Sequence, residues 1–90
     1  MKFIVSWTIP KTCVASAEAR FLQTGGAPPA GVKMIGRWHG MSGGGVLIAE
    51  TSEPKALYAW LGYWNDLLDF QTTPCLEDAE AGEVLGAIKR

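Results

Sequence analysis

The sequence predicts an α+β fold, in which a four-stranded antiparallel sheet carries two helices on one face and a helical tail follows. Short runs with strand-like alternation of apolar and polar residues are separated by two stretches with apolar residues at helical spacing. Glycines and prolines mark the breaks between these segments. The order is strand, helix, strand, strand, helix, strand, and short right-handed crossovers favour an antiparallel sheet for it.

The first strand is predicted over residues 2–9, a β-branched and aromatic run that stops at Pro10. Its alternation places Phe3, Val5, Trp7 and Ile9 on one side and Ser6 and Thr8 on the other. The first helix is predicted over residues 12–23, where Val14, Ala17, Phe21 and Leu22 follow helical spacing and Glu18 stays on the solvent side. Gly25 and Gly26 then supply a glycine stop.

A hairpin is predicted in the middle of the chain. Residues 27–31, with Pro28 and Pro29, make a stiff connection into a second strand over residues 32–39. The glycine-dominated segment 40–45 is a tight turn, and residues 46–51 form the third strand.

The second helix has the clearest pattern in the chain. Ser52 is the predicted N-cap and Pro54 suits the first turn. Its apolar stripe consists of Leu57, Trp60, Leu61 and Trp64. Such a stripe is wide enough to cover a sheet.

A fourth strand is predicted over residues 68–75, with Leu68 and Phe70 on one side and Asp69, Gln71 and Thr73 on the other. Pro74 suits an edge strand. The chain then divides into an α+β domain, residues 1–76, and an amphipathic tail, residues 77–90. The tail has Ala81, Val84, Leu85 and Ile88 at helical spacing, and Gly82 and Gly86 weaken it.

This arrangement is ferredoxin-like, with the first and third strands central and one sheet face left bare. The bare face would contain Ile4, Ile35 or Ile48. A chain of 90 residues has a small core. We therefore expect a homodimer in which two sheets pair across a two-fold axis.

Three segments carry a resemblance to a known superfamily: FIVSW, GRWHGMSGGGVLIAE, and AWLGYWNDLLDF followed by Thr73 and Pro74. They resemble the dimeric α/β-barrel superfamily, most closely a small family of unknown function within it, over roughly residues 1–76. The superfamily includes small monooxygenases, muconolactone isomerases and apparent non-enzymes. The resemblance therefore implies a fold and a dimer, and it implies no particular chemistry.

Charge and composition argue against several classes of partner and site. The net charge of −1 without a basic run argues against a nucleic-acid partner, and no apolar stretch approaches a membrane span. The start of the chain only weakly imitates a signal peptide, and the two cysteines form no Cys-x-x-Cys pair, so we expect reduced thiols and a cytoplasmic protein. A single histidine favours no metal site, and no motif implies a cofactor.

His39 is the candidate catalytic residue, because it alone titrates near neutral pH in its unperturbed state. The other interpretation is a half-exposed histidine that bonds a turn carbonyl. Arg37 shares its strand face and is a candidate anchor for an anionic ligand, or else a solvated edge arginine. The register of the turn decides whether Glu50 joins the face of Arg37, and six turn residues admit both registers.

Trp7 and Trp38 are candidate pocket walls, and Ser6 and Thr8 are lesser polar candidates for substrate binding. Core packing is the alternative for both tryptophans. Together these residues predict a homodimer that binds a small aromatic or amphipathic molecule. Two hypotheses stay open: a cofactor-free enzyme, isomerase-like or monooxygenase-like, and a non-catalytic binding or assembly module.

Overall fold

The secondary structure follows the predicted order of elements. The computed structural model describes residues 1–88, and residues 89 and 90, the last two of the predicted tail, lie outside the described residues. The strands are β1 (Lys2–Thr8), β2 (Lys33–His39), β3 (Gly45–Glu50) and β4 (Asp69–Cys75). The helices are α1 (Val14–Thr24), α2 (Pro54–Trp64) and α3 (Asp78–Ala87), with a 3₁₀ turn at Lys11–Cys13 before α1. The predicted α+β class and four-stranded antiparallel sheet are confirmed.

The sheet has the strand order β2-β3-β1-β4, so β1 and β3 occupy the centre and β2 and β4 the edges. All three pairings are antiparallel. Ile4 of β1 lies opposite Ile48 of β3 and Thr73 of β4, which fixes the register of the central strands.

One face of the sheet packs against α1 and α2 and forms the core. Val5 of β1 is fully buried, and the alternation predicted for β1 is observed. Ala17 of α1 and the α2 side chains Leu57, Trp60 and Trp64 join the same cluster. Helices of this length are marginal by themselves, so this packing is what stabilises α1 and α2.

The opposite surface, here called the bare face, carries Ile4, Ser6, Ile35, Trp38, Val46 and Ile48. Ile4, Ile35 and Trp38 are all exposed, and the Trp38 side chain is 60% exposed. Large apolar side chains therefore meet solvent in the single chain.

A β-bulge at Ile35 resolves the hairpin register. His39 pairs with Gly45 and Arg37 with Leu47, but beyond the bulge Met34 pairs with Ala49. The extra residue turns Met34 towards the core, against which it packs. Glu50 is thereby on the face opposite Arg37, so these two residues do not pair through the sheet.

The predicted N-cap of α2 is wrong. The helix is capped at Glu53 without a side-chain bond, and the Thr51 hydroxyl accepts a hydrogen bond from the Glu53 backbone N–H at 2.8 Å. The same hydroxyl donates to the Gly31 carbonyl at 2.6 Å. Thr51 is buried and therefore needs both partners, whereas Ser52 is exposed.

The β2–β3 turn requires glycine at residue 44. Gly44 has φ 73° and is buried, and a Cβ there would collide with the backbone oxygen of Trp7. The turn is thus held tightly against β1. Within residues 1–88, none of the helices has both the length and the apolar character needed to cross a membrane.

Candidate functional site

A cavity of about 650 Å³ lies between the inner face of the sheet and helices α1 and α2. Its walls are mainly aromatic and aliphatic, with Trp7, Phe21, Trp60, Trp64 and Phe70 among them. A volume of this size falls in the range of small-molecule sites. The cavity lies at the end of the sheet that carries the glycine turn, where Gly43 and Gly44 form part of its lining.

Three ionisable side chains line this otherwise apolar cavity: Glu18, Arg37 and His39. Arg37 and His39 reach it because they are two residues apart on β2 and share the inner face of the sheet. Few convergent polar groups in an apolar cavity are typical of a site that orients an amphipathic ligand.

His39 is an exposed residue whose ring contacts two aromatic rings at the cavity. Its ring stacks on Phe21 with centroids 5.0 Å apart and an interplanar angle of 15°. Trp7 meets it edge-on, with centroids 5.8 Å apart. These contacts orient the imidazole without a hydrogen bond to any other described side chain, so its ring nitrogens are available to a ligand.

Arg37 ties β2 to the C-terminal end of α1. Its guanidinium donates to the Gly26 carbonyl at 2.6 Å and to the Gly25 carbonyl at 2.9 Å. It also lies over the Phe21 ring, 5.1 Å from the centroid. Partial burial lowers the pKa of Arg37, yet a guanidinium stays charged at neutral pH and suits the negative end of the helix dipole.

Arg37 has a structural role that the sequence does not reveal, because it links β2 to the end of α1. Two of its five N–H groups donate to the Gly25 and Gly26 carbonyls, just beyond the last residue of α1. By holding α1 against β2, Arg37 also positions Phe21 and therefore the stack on His39. Any anchoring of an anion at this residue comes in addition to that role.

The predicted site residues divide between the two faces of the sheet. His39, Arg37 and Trp7 meet at the cavity. Trp38, Ser6 and Thr8 alternate with them along their strands and lie on the bare side. The Ser6 hydroxyl is 3.5 Å from the Gln71 carbonyl, and the Trp38 ring lies over Gly36. The structure does not bring these three residues to His39.

Sequence reasoning missed Glu18 and Phe21 as cavity residues. Glu18 is an exposed residue on the solvent side of α1, yet it also lines the cavity. Phe21 fits the apolar stripe of α1, and that stripe is the signal that could have placed it opposite the sheet. Its contact with His39 depends on tertiary packing.

The comparison with protein families covers nearly the whole chain. A family model described as a domain of unknown function, DUF3303, matches residues 1–89. The match includes β1 and the glycine turn, and it continues through α3. No curated protein matches the chain significantly. The chain therefore belongs to the DUF3303 family.

Proposed function

We propose that this protein binds a small aromatic or amphipathic organic molecule in the cavity between the sheet and helices α1 and α2. The observation that carries the proposal is the combination of an aromatic wall with the side chains of Arg37, His39 and Glu18. A ligand ring would pack against Trp60, Trp64 and Phe70, and a polar or anionic group would face Arg37 and His39.

The fold supports the proposal at the level of architecture. The strand order β2-β3-β1-β4 and the packing of both central helices on one face suit a ferredoxin-like domain. We propose further that two copies pair through their bare faces, as in a dimeric α/β barrel, because Ile4, Ile35 and Trp38 are otherwise exposed. Both cysteines are free, which suits a cytoplasmic location.

Proton transfer is the reaction that the site suits best. His39 is oriented by two rings and borders the cavity, so its imidazole can take a proton from one ligand atom and return it to another. Such an isomerisation leaves the composition of the ligand unchanged. The alternative function is non-catalytic, with the same cavity serving only to bind, or with the bare face serving only assembly.

Neighbouring residues on β2 provide a matched pair of variants to test the site. Phenolic and lactone-like compounds are screened by tryptophan fluorescence, since Trp7, Trp60 and Trp64 line the cavity. His39→Ala should weaken binding by about tenfold, because it removes a hydrogen-bonding ring and one aromatic wall. Trp38→Phe changes the next residue, on the other face, and should leave affinity unchanged.

The outcomes separate the hypotheses. If no compound binds, or if His39→Ala and Trp38→Phe bind equally well, the cavity is not the site. Binders are then incubated with protein and analysed by mass spectrometry and NMR. A rearranged product that disappears with His39→Ala supports the enzyme, whereas unchanged ligand recovered throughout supports the binding module.

A further inference from the structure

The C-terminal arm, residues 76–88 with α3, has little contact with the rest of its own chain. Leu76, Val84, Leu85 and Ile88 are exposed, and Leu85 is 62% exposed. Ala81 is the one residue of the helix that is partly buried. Among the described residues, one ion pair ties the arm to the body, between Lys2 Nζ and Glu77 Oε1 at 2.7 Å.

The chain as a whole is more extended than a compact monomer of its length. The radius of gyration is 15.2 Å and the longest axis is 50 Å, whereas a compact chain of this length has a radius of gyration of about 12 Å. The accessible surface is 6473 Å², whereas a folded monomer of this mass exposes about 5,100 Å². The excess of about 1,300 Å² is what one partner buries in a substantial subunit interface.

The arm does not have the sequence of a helix that is stable without support. It has ten helical residues, including Gly82 and Gly86. Helices shorter than about 12–15 residues are marginal in water, and each glycine lowers helix stability further. A helix of this kind needs a surface on which to pack its apolar side.

The start of the arm shows where that surface lies. Lys2 and Cys75 are paired across β1 and β4, in line with Ile4 and Thr73 on the bare side of the sheet. Because Lys2 binds Glu77, the arm begins on that side, and all of its helical residues except Ala81 are exposed. A second copy packed on the bare face would therefore meet the apolar side of the arm.

We propose that each arm docks on the other copy of this chain, so that Val84, Leu85 and Ile88 are buried in the dimer interface. This inference rests on the proposed dimer and adds a second contact surface to it. Exchange of the arms would bury the exposed apolar residues of α3. It would also explain why the accessible surface of the single chain exceeds that expected for a folded monomer of its mass.

Two substitutions that add a charge on opposite sides of α3 test whether the arm docks on the other copy. Leu85→Glu places a carboxylate on the apolar side, and Ala79→Glu places one on the opposite side, where the helix carries small or acidic residues. The dimer dissociation constant is measured by sedimentation equilibrium, and folding is checked by far-UV circular dichroism. We expect Leu85→Glu to raise the dissociation constant at least about 100-fold, since both copies lose a buried leucine, and Ala79→Glu to change it less than about threefold.

The bare face is tested in parallel with Ile48→Lys. If this variant dissociates the dimer while Leu85→Glu leaves the dissociation constant unchanged, the arm proposal fails and the bare-face dimer stands. If Leu85→Glu lowers the melting temperature equally at all protein concentrations without changing association, the arm packs on its own body and the proposal is wrong. A full chain that stays monomeric at micromolar concentration would overturn both dimer proposals and leave the ligand experiment unaffected.

Discussion

Replacing Arg37 with methionine should destabilise the protein, because the guanidinium joins β2 to the C-terminal end of α1. The variant loses the hydrogen bonds to the Gly26 and Gly25 carbonyls, 2.6 and 2.9 Å long, while methionine keeps an apolar stem against Phe21. A hydrogen bond from a charged donor contributes about 1.5–3 kcal/mol when shielded. Because Arg37 is only partly buried, water can replace part of the stabilisation that these hydrogen bonds provide. We therefore expect the free energy of unfolding to fall by about 2 kcal/mol in total.

Thermal unfolding followed by circular dichroism measures this loss at one fixed protein concentration, which keeps any association constant. For a domain of this size, about 2 kcal/mol corresponds to a fall in Tm of about 8–16 °C. Lys33→Met is the matched control, because Lys33 is an exposed cation at the start of the same strand, and we expect it to melt close to the parent chain.

Arg37→Lys separates charge from geometry. An ammonium keeps the charge near the helix end but lacks the planar fork that reaches two carbonyls, so its Tm should fall between those of the parent and Arg37→Met. A Tm for Arg37→Met within about 2 °C of the Lys33→Met control would refute the structural role. Ligand affinities of Arg37 variants must accordingly be measured well below their melting temperatures.

Two further predictions concern the glycine turn and the ion pair between Arg20 of α1 and Asp66, which lies just after α2. Gly44→Ala should lower the free energy of unfolding by about 1–3 kcal/mol. Gly43→Ala should lower it clearly less, because both glycines have positive φ but only residue 44 lacks space for a Cβ. Equal losses of the two variants in urea titrations would contradict the packing of the turn against Trp7. The hydrogen bond from Arg20 lowers the pKa of Asp66, so the pair stabilises the fold fully above the ordinary aspartate pKa of about 3.9 and is lost as pH falls through the lower folded-state value. Asp66→Asn should therefore lower Tm at neutral pH and reduce the fall in Tm on acidification, and identical Tm profiles would show that the pair contributes nothing.

Local patterns were enough to predict most of the elements. The alternation along β1 assigns Val5 and Trp7 to the buried face, and the stripe on α2 assigns Trp60 and Trp64 to the core, as observed. Burial of an apolar face is the main stabilising effect in both cases, and its period is visible in the sequence. The arrangement of these elements around a cavity is not visible in the sequence, because it depends on long-range packing.

The hairpin shows why register could not be predicted. The bulge at Ile35 shifts the pairing by one residue between Met34 and Gly36. No residue type requires a bulge there, and its effect is tertiary, since it turns Met34 into the core. The capping of α2 by Thr51 is likewise tertiary, because its hydroxyl also bonds Gly31 across a loop.

The site prediction drew residues from both faces of one sheet. Trp38 and His39 are adjacent on β2 and must point in opposite directions, and the same holds for Ser6 and Trp7 on β1. Strand alternation alone therefore separates one half of the predicted set from the other. His39 is predictable because it is the one histidine in the chain, whereas its contact with Phe21, which belongs to another element, depends on tertiary packing.

Because the cavity and the bare face lie on opposite sides of the sheet, the two surfaces can act independently. The cavity lies on the inner face, near the turn that contains Gly44, while the arm begins at the opposite end of the strands, beside Lys2. Substitutions separated by the thickness and length of the sheet share no contacts, so their effects on free energy should add. A dimer built through the bare face and the arms would therefore leave the aromatic cavity open at the far end of each sheet, and ligand binding would not require the subunits to separate.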